Sequence, residues 1–411
     1  MWPIGWALAA CFAAAALGLA GLTWLALALL HHPKLPQPPT VSLHDFIGVL
    51  QLVFASVAGA GALVALVMAY RRQRVAETAT AHDRSRVLNE RFTTIAGQLG
   101  DDQAAVRLAG VHAMAGLADD WEENRQTCID ILCAYLRMPY EPEPGDDAPA
   151  QERLAFRSGR EVRHTVIRII TAHLRHNAPV SWQGLNFDFT GVVFDGGDFS
   201  KAVFSGGTVS FDDAVFSGGR VSFGGAVFSG GEVSFGSAMF FSGGEVSLGG
   251  AVFSGGEVSF GSASFCGGEV SFGSASFSGG RVYFGGAAFS GGEVSFGGVV
   301  FSGGRVSFGS ALFSGGRVYF GGARFSGGEV SFGSARFSGG EISFYGVVFS
   351  GGQVSFGRAR FSGGEVSFKD VVFSGGEVYF SAAADWSHPP TFSWVGTPPA
   401  GVKLPEAAPG S

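Results

Sequence analysis

Residues 214–224 read Ala-Val-Phe-Ser-Gly-Gly-Arg-Val-Ser-Phe-Gly, and nearly the same letters return throughout the second half of the chain. The composition reflects this repetition, because 66 of the 411 residues are glycine and 40 are phenylalanine, while only 15% are charged. Fourteen intervals separate the repeats, and each is twelve residues long except one of thirteen at residues 238–241. The segments that resemble Phe-Ser-Gly-Gly begin at residues 204, 216, 228, 241, 253, 265, 277, 289, 301, 313, 325, 337, 349, 361 and 373. A fixed period of this kind predicts a stacked array of structural repeats.

Each repeat predicts two short β-strands. Phe, Val and Ala alternate with other residues, so they can point inward while Glu, Arg and Ser point outward. Ser-Gly-Gly and Gly-Gly or Gly-Ser separate the strands, and glycine adopts the backbone angles that tight corners need. We therefore predict a flat solenoid with a twelve-residue coil and phenylalanine ladders inside; a coil of twenty-four residues, made of two repeats, is the alternative. Fifteen single-repeat coils at about 4.8 Å each would form a rod of roughly 70 Å.

The first seventy residues predict a transmembrane helical hairpin. Two uncharged stretches, at about 2–30 and 46–70, are each long enough to cross the roughly 30 Å hydrocarbon layer. A cleaved signal peptide is the rival for the first stretch, but no Lys or Arg precedes it. Arg71, Arg72 and Arg74 follow the second stretch, and the short extracytoplasmic loop holds a single lysine. The positive-inside rule then predicts a multi-pass protein of the cell membrane with both termini in the cytoplasm.

Residues 71–180 predict a cytoplasmic α-helical connector. The helix of the second span continues outward, Asp101 and Asp102 can cap the next helix, and further helices are expected at about Glu123–Leu136 and Glu161–Arg175. An acidic, Pro-rich stretch near residues 140–151 predicts a solvated linker.

The solenoid is predicted at residues 181–380, followed by a Pro-rich C-terminal cap and tail at 381–411. A single repeat cannot bury its own apolar face, so the array needs a cap at each end. The coil from Phe189 to Phe199 can cap one end, and Trp386 with Trp394 can cover the other.

The five-residue spacing of Phe189, Phe194, Phe199 and Phe204 resembles the inward positions of pentapeptide repeats. The runs Glu-Arg-Phe-Thr-Thr-Ile-Ala-Gly-Gln-Leu-Gly (90–100), Val-Arg-Leu-Ala-Gly-Val-His-Ala-Met (106–114) and Ile-Leu-Cys-Ala-Tyr-Leu-Arg (131–137) resemble the helical part of membrane-anchored bacterial pentapeptide-repeat proteins. That resemblance implies a hairpin and a helical region before a right-handed, four-sided β-solenoid. The twelve-residue period departs from four five-residue sides, so we expect the square cross-section to give way to a flatter one after Phe204.

The sequence offers no catalytic, cofactor-binding or metal-binding residues. Cys11, Cys128, Cys133 and Cys266 lack metal or disulfide spacing and are interpreted as reduced thiols. His173 and His176 lie three residues apart on a predicted helix, but no third ligand accompanies them. The glycine pairs recur in every repeat and do not open helices, so they are not nucleotide-binding loops. We therefore expect no enzymatic activity and no cofactor.

The outward positions of the repeats are the remaining candidates for function. Glutamates at 232, 245, 257 and 269 predict a stack of like charges, later mixed with arginines at 281, 305 and 317. Arg324, Arg336 and Arg360 predict a sparse basic stripe on the opposite face, which would suit an acidic partner or lipid headgroups.

We therefore predict a scaffold tethered to the lipid bilayer that displays a repeated surface to an unknown cytoplasmic protein partner. The alternative is a DNA mimic that binds type II topoisomerases, since the resemblance implies that activity for some members. Residues 204–380 hold twelve acidic and nine basic side chains, a net charge of −3, which is little for a DNA mimic and gives no reason to expect a nucleic-acid partner.

Overall fold

The computed structural model describes residues 43–406 except 142 and 242, together with positions 13, 16, 17, 20, 21, 24 and 28. The first predicted membrane span, at about 2–30, lies almost entirely outside these described residues, so the hairpin stays a prediction. The chain divides into two compact units, one ending at Glu90 and the other beginning at Arg91.

Helix α1 covers Leu43–Leu99 and is 57 residues long. It continues through the arginines that follow the second predicted span, because the Ala, Arg, Gln and Glu residues found there favour a helix. In the described part of the chain, one segment, Phe54–Val75, is long and apolar enough to cross a membrane, with a mean hydropathy of 1.6 and none of its apolar window buried.

Three further α-helices precede the solenoid: α2 (Ala104–Asp120), α3 (Arg125–Arg137) and α4 (Ala150–Leu174), with a short 3-10 helix at Glu122–Asn124 before α3. Their apolar faces bury Val111, Met114, Leu132 and Ile170 completely, which makes a small helical core. Helix α3 lies close to its predicted bounds. Helix α4 begins at Ala150 and not at Glu161, so its first residues occupy the end of the predicted linker.

The strands follow one another from residue 187 onward, and most are short. In chain order they are β1 Phe187–Asp188, β2 Val193–Phe194, β3 Gly197–Asp198, β4 Val203–Ser210, β5 Val215–Phe216, β6 Gly219–Ser222, β7 Val227–Ser234, β8 Met239–Phe240, β9 Gly244–Ser247, β10 Val252–Phe253, β11 Glu257–Ser259, β12 Ser264–Ser271, β13 Ser276–Phe277, β14 Arg281–Tyr283, β15 Ala288–Ser295, β16 Val300–Phe301, β17 Arg305–Ser307, β18 Leu312–Tyr319, β19 Arg324–Ser331, β20 Arg336–Ser343, β21 Val348–Ser355, β22 Arg360–Phe368, β23 Val372–Tyr379, β24 Thr391–Phe392 and β25 Val402–Lys403.

The strands form two parallel sheets. Sheet I contains the thirteen strands β1, β4, β7, β10, β11, β13, β14, β16, β17, β19, β21, β23 and β25. Sheet II contains the other twelve. Together they make a β-solenoid of about nine coils.

One coil of the solenoid holds two repeats, so the predicted twelve-residue coil is wrong and the twenty-four-residue alternative is correct. Val203 pairs in sheet I with Val227, which lies two repeats, or twenty-four residues, further along the chain. Val227 pairs in turn with Val252, and this separation is one residue longer because that coil contains the one thirteen-residue repeat. Strand β4 runs through its Ser-Gly-Gly segment with only a shift of register. The segment therefore bends the chain without reversing it, and two repeats are needed to close a coil. About nine coils at about 4.8 Å each give a rod of roughly 43 Å instead of 70 Å.

The solenoid core consists of four columns of aromatic rings. Within each column the phenylalanine centroids lie 4.4–5.4 Å apart and the rings are stacked. Column 1 contains Phe189, Phe211, Phe235, Phe260, Phe284, Phe308, Phe332, Phe356 and Phe380. Columns 2, 3 and 4 begin at Phe194, Phe199 and Phe204, and Leu248 replaces the ring in one coil of column 3. Each buried ring contributes about 1.5–3 kcal/mol through burial, and the stacking adds to this.

The four columns show that the four-sided arrangement continues past Phe204, so the predicted change to a flatter cross-section is wrong. Beyond that residue the spacing between inward phenylalanines alternates between seven and five residues, as at Phe211, Phe216 and Phe223. Rings of columns 1 and 3 meet edge to face across the core, for example Phe284 and Phe296 with centroids 5.6 Å apart. The longer sides contain the glycine pair, which accommodates the two additional residues.

Aromatic side chains cover the far end of the columns, as the sequence predicts. Trp386 packs edge to face on Phe361, with centroids 5.1 Å apart, and Trp394 packs in the same way on Phe373 at 5.4 Å. Phe392 continues column 3 beyond Phe368. The end of the columns is therefore covered in part, since Phe373, Trp386, Phe392 and Trp394 remain half-buried.

Candidate interaction surfaces

The Ser-Gly-Gly corners bring backbone against backbone in successive coils. A Cβ atom on Gly230 would lie 2.5 Å from the carbonyl oxygen of Ser205, and one on Gly231 would lie 2.3 Å from that of Gly207. Gly231 also has a φ of +71°, in the region that side chains rarely adopt. Only glycine fits both positions, and the resulting shallow strip of backbone runs along the centre of each sheet.

Outward charged residues form one column on sheet I, which we call the sheet I charge column. From coil to coil it reads Thr208, Glu232, Glu257, Arg281, Arg305, Glu329, Gln353 and Glu377. Arg281 lies 3.7 Å from Glu257, and the Nε of Arg305 lies 3.0 Å from an oxygen of Glu329. These side chains are 43–60% exposed, so their ion pairs contribute little to stability and remain available to a partner.

A second column on sheet II, the sheet II charge column, is more acidic. It reads Arg220, Glu245, Glu269, Glu293, Arg317, Glu341 and Glu365. Arg220 lies 2.7 Å from Glu245, and Arg317 lies 4.0 Å from Glu293. The glutamates that the sequence suggests as one stack are therefore divided between two faces, since consecutive repeats alternate between the sheets.

The predicted basic stripe is also divided. Arg324 belongs to β19 in sheet I, whereas Arg336 and Arg360 are neighbours in sheet II, so the three arginines do not form one stripe. The reason is again the two-repeat coil, which places every second repeat on the same face.

A polar cluster joins the helices to the first coil around Asp195. His164 Nε2 lies 3.0 Å from the Oδ1 of Asp195. Tyr140 donates a hydrogen bond of 2.6 Å to the Oδ2 of Asp195, and the Nε of Arg160 lies 3.0 Å from the same oxygen. The guanidinium of Arg163 covers the Tyr140 ring at 4.2 Å and donates to the backbone carbonyl of Val193. The cluster fixes α4 on the end of the solenoid.

Burial alone would raise the pKa of the Asp195 carboxyl, but the hydrogen bonds from His164 and Tyr140 and the charges of His164 and Arg160 outweigh it, so this pKa lies below its ordinary value. Burial, followed by the bond to Asp195, raises the pKa of Tyr140. This cluster was not predicted from the sequence. The one indication of it in the sequence is Asp195, which precedes a glycine pair at the position where the later repeats carry serine.

A depression of about 500 Å³ lies beside the cluster and is lined by Arg160, His164, Arg168, Gly196, Gly197, Asp198, Ser200, Arg220 and Ser222. Its cations are already paired: Arg168 lies 2.6 Å from Glu161, and Arg220 lies 2.7 Å from Glu245. The lining therefore has little positive charge left for an anionic ligand.

His173, Cys128 and Cys133 have structural surroundings, whereas His176 is exposed and Cys11 lies outside the described residues. His173 stacks on Trp182 with centroids 4.0 Å apart, and its Nε2 lies 3.1 Å from Asp119. Cys128 and Cys133 are buried thiols, and Cys266 is exposed on sheet II. Within the described part of the chain, no group of three or more His, Cys, Asp or Glu residues is arranged to hold a metal ion.

Comparison with known proteins adds one match. Residues 189–239 match the family model described as pentapeptide repeats (9 copies). This segment covers the first coils of the solenoid, where the five-residue spacing passes into the alternation of five and seven, and it is similar to pentapeptide repeats. Searches of curated protein sequences and of solved structures gave no match.

Proposed function

We propose that this chain is a non-enzymatic scaffold, tethered to the cell membrane, that presents the faces of its solenoid to a protein partner in the cytoplasm. The observation that carries the proposal is the pair of charge columns. Stacked rings and glycine corners hold the charges at a fixed spacing of about 4.8 Å, and the repeats carry Glu, Arg, Thr or Gln at these outward positions. A rigid, periodic display of charge is suited to recognition of a protein surface.

The membrane tether is supported by the apolar segment Phe54–Val75, in which Phe54, Val57, Leu63 and Leu66 are exposed. Arg71, Arg72 and Arg74 lie at the C-terminal end of this segment and favour a cytoplasmic location for the rest of the chain. The solenoid would then be a cytoplasmic part of a membrane-anchored chain.

The DNA-mimic alternative receives less support from the surface. Mimicry of DNA requires a continuous row of negative charge. Arg281 and Arg305 interrupt the row of acidic residues in the sheet I charge column, and Arg317 interrupts the row in the sheet II charge column. We therefore retain the scaffold as the proposed function.

The tether is tested by extraction of membranes with alkaline carbonate. In a chain that starts at residue 43, and so lacks the first predicted span, replacing Leu63 and Leu66 together by arginine is expected to release the protein into the soluble fraction, since each charge in a span costs about 2.5–3.5 kcal/mol. Val87 is also exposed on α1 but lies outside the apolar segment, so Val87→Arg is the matched control and should remain in the membrane. Release of the unaltered chain by carbonate would contradict the tether.

The partner is sought by proximity labelling from the C-terminus in the native cell. Glu245→Gln with Glu269→Gln removes two charges from the sheet II charge column, and Glu141→Gln with Glu143→Gln removes two exposed charges before α4. A scaffold partner is a protein whose labelling falls at least fivefold with the first variant and is unchanged with the second. If both variants and the unaltered chain label the same proteins equally, the sheet II face has no specific partner.

A further inference from the structure

The sheet I charge column has an order that is complementary to itself. Its central charges are Glu232, Glu257, Arg281 and Arg305, so reversing the order exchanges every acid with a base. We infer that the sheet I face binds a second copy of this chain, with the two solenoids antiparallel and related by a two-fold axis that passes between the coils of Glu257 and Arg281.

The geometry follows from the symmetry. A two-fold axis that lies in the interface along the strand direction reverses the solenoid axis and keeps each column opposite its own copy. Glu257 then faces Arg281 of the second copy, and Glu232 faces Arg305, with both pairs formed twice. The next positions outward, Thr208 and Glu329, face each other and carry no like charges.

The neighbouring columns agree with the same axis. On one side of the glycine strip the half-buried column reads Val227, Val252, Ser276, Val300, so the two outer valines face each other. The interface would thus have an apolar edge beside the charged column over its four central coils, and Val203 would face Arg324 at each end.

On the other side of the strip the column reads Ser234, Ser259, Tyr283, Ser307. The one large side chain, Tyr283, then faces the small Ser259 of the second copy. A shallow depression of about 610 Å³ between these columns, lined by Gly231, Gly256, Gly280 and the charged residues beside them, leaves room for long side chains to interdigitate.

The sheet II charge column is not complementary to itself. It runs Arg220, Glu245, Glu269, Glu293, Arg317 and then two more glutamates. Every two-fold placement that covers three or more coils sets a glutamate against a glutamate, and such contacts repel. The inference is therefore specific to sheet I, and it does not depend on the proposed scaffold role, since no other protein takes part.

The size of the contact is consistent with association. The coils of Thr208 to Glu329 span about 29 Å at about 4.8 Å per coil, and a strand face is about 20 Å wide, so each copy would bury roughly 550 Å². The total of about 1,100 Å² lies near the lower limit for specific protein interfaces. A dimer of moderate affinity that weakens as salt is added is expected.

The test uses the full-length chain in detergent micelles, with the mass measured by sedimentation velocity at 50 and 500 mM salt. The unaltered chain should be a dimer at low salt and dissociate at high salt. Arg281→Glu with Arg305→Glu makes the central column entirely acidic, and Glu232→Arg with Glu257→Arg makes it entirely basic. Each variant alone should dissociate with a Kd raised at least 30-fold, and an equimolar mixture should associate again.

The matched control is Arg220→Glu with Arg317→Glu, which changes the net charge by the same amount on sheet II and should leave the dimer intact. Folding of every variant is checked by circular dichroism, and re-association of the mixture shows that both charge variants are folded. A monomeric unaltered chain at low salt, a dimer that persists in both sheet I variants, or equal dissociation of the control would overturn the inference.

The antiparallel orientation is tested by disulfide formation, with Cys11 and Cys266 first replaced by serine. Chains carrying Glu232→Cys should cross-link to chains carrying Arg305→Cys, and neither should cross-link to itself. Cross-linking of Glu232→Cys to itself would place the same coils opposite each other and overturn the proposed axis.

Discussion

Replacing Gly304 by serine is expected to destabilise the solenoid by about 4 kcal/mol, whereas the same replacement at Gly298 should cost about 1 kcal/mol. Both glycines have positive φ, +69° and +66°, so both variants place a side chain in a left-handed conformation that costs about 1 kcal/mol. Serine already occupies the position of Gly298 in other repeats, for example Ser274 and Ser310, each with φ +59°.

The difference between the two sites comes from the neighbouring coil. A Cβ on Gly304 would lie 2.6 Å from the carbonyl oxygen of Gly280 and 2.8 Å from the carbonyl carbon of Gly279, both backbone atoms, whereas one on Gly298 would meet only the Ser274 hydroxyl, at 3.6 Å. Relief requires the coils to separate, which breaks the 3.1 Å bond from the Arg305 amide to the Gly280 carbonyl. A lost hydrogen bond of about 1 kcal/mol and overpacking of about 2 kcal/mol give the additional 3 kcal/mol.

The assay is hydrogen exchange measured by mass spectrometry on the full-length chain. Repeat arrays open locally, so exchange in the peptides around each substitution reports the local opening free energy better than one melting temperature does. The amides of residues 277–330 should lose protection strongly in the Gly304 variant and slightly in the Gly298 variant. Equal loss in the two variants would refute the argument that close contact between coils, and not φ alone, requires the glycine pair.

Three further predictions concern the core, the helix junction and the thiols. Phe308→Ala should destabilise the solenoid by about 3–5 kcal/mol and Phe308→Leu by about 1 kcal/mol, because Leu248 already fills a ring position; urea titration followed by circular dichroism measures both. Asp195→Asn should cost about 3 kcal/mol at pH 7. Because the folded pKa of Asp195 lies below its ordinary value of 3.8, its contribution is present above that pH and is lost as the pH falls through the folded pKa, so the difference from the unaltered chain should shrink in melts at pH 3. Burial raises the pKa of Cys133 to about 12, so iodoacetamide at pH 8 should alkylate the exposed Cys266 and leave Cys133 unmodified in the folded chain, as measured by mass spectrometry.

The repeat period was sufficient to predict a stacked solenoid with phenylalanine inside, because inward Phe positions recur with strict spacing. It was not sufficient to choose between coils of one and two repeats. That choice depends on how far the Ser-Gly-Gly segment bends the chain, and in β4 it bends the strand without ending it. The same bend at Ser-Gly-Gly places consecutive repeats on opposite sheets and therefore distributes their charges over two faces. The predicted glutamate stack and the predicted arginine stripe were both wrong for this one reason.

The junction between helices and solenoid could not be derived from periodicity. Asp195 departs from the serine of later repeats, but its partners Arg160 and His164 lie over thirty residues earlier in the chain. Only the packing of α4 on the first coil brings them together. The C-terminal tryptophans were easier to assign, since large rings directly after the last repeat have few other places to be buried.

The two-repeat coil restricts how this chain can change length during evolution. Loss or duplication of a single twelve-residue repeat would transfer every later repeat to the opposite sheet. Trp386 and Trp394 would then lie over different phenylalanine columns from those that they cover now. Loss or duplication of a pair would leave both surfaces in phase and alter the length by about 4.8 Å. Genes of this type are therefore expected to grow and shrink by segments that encode an even number of units.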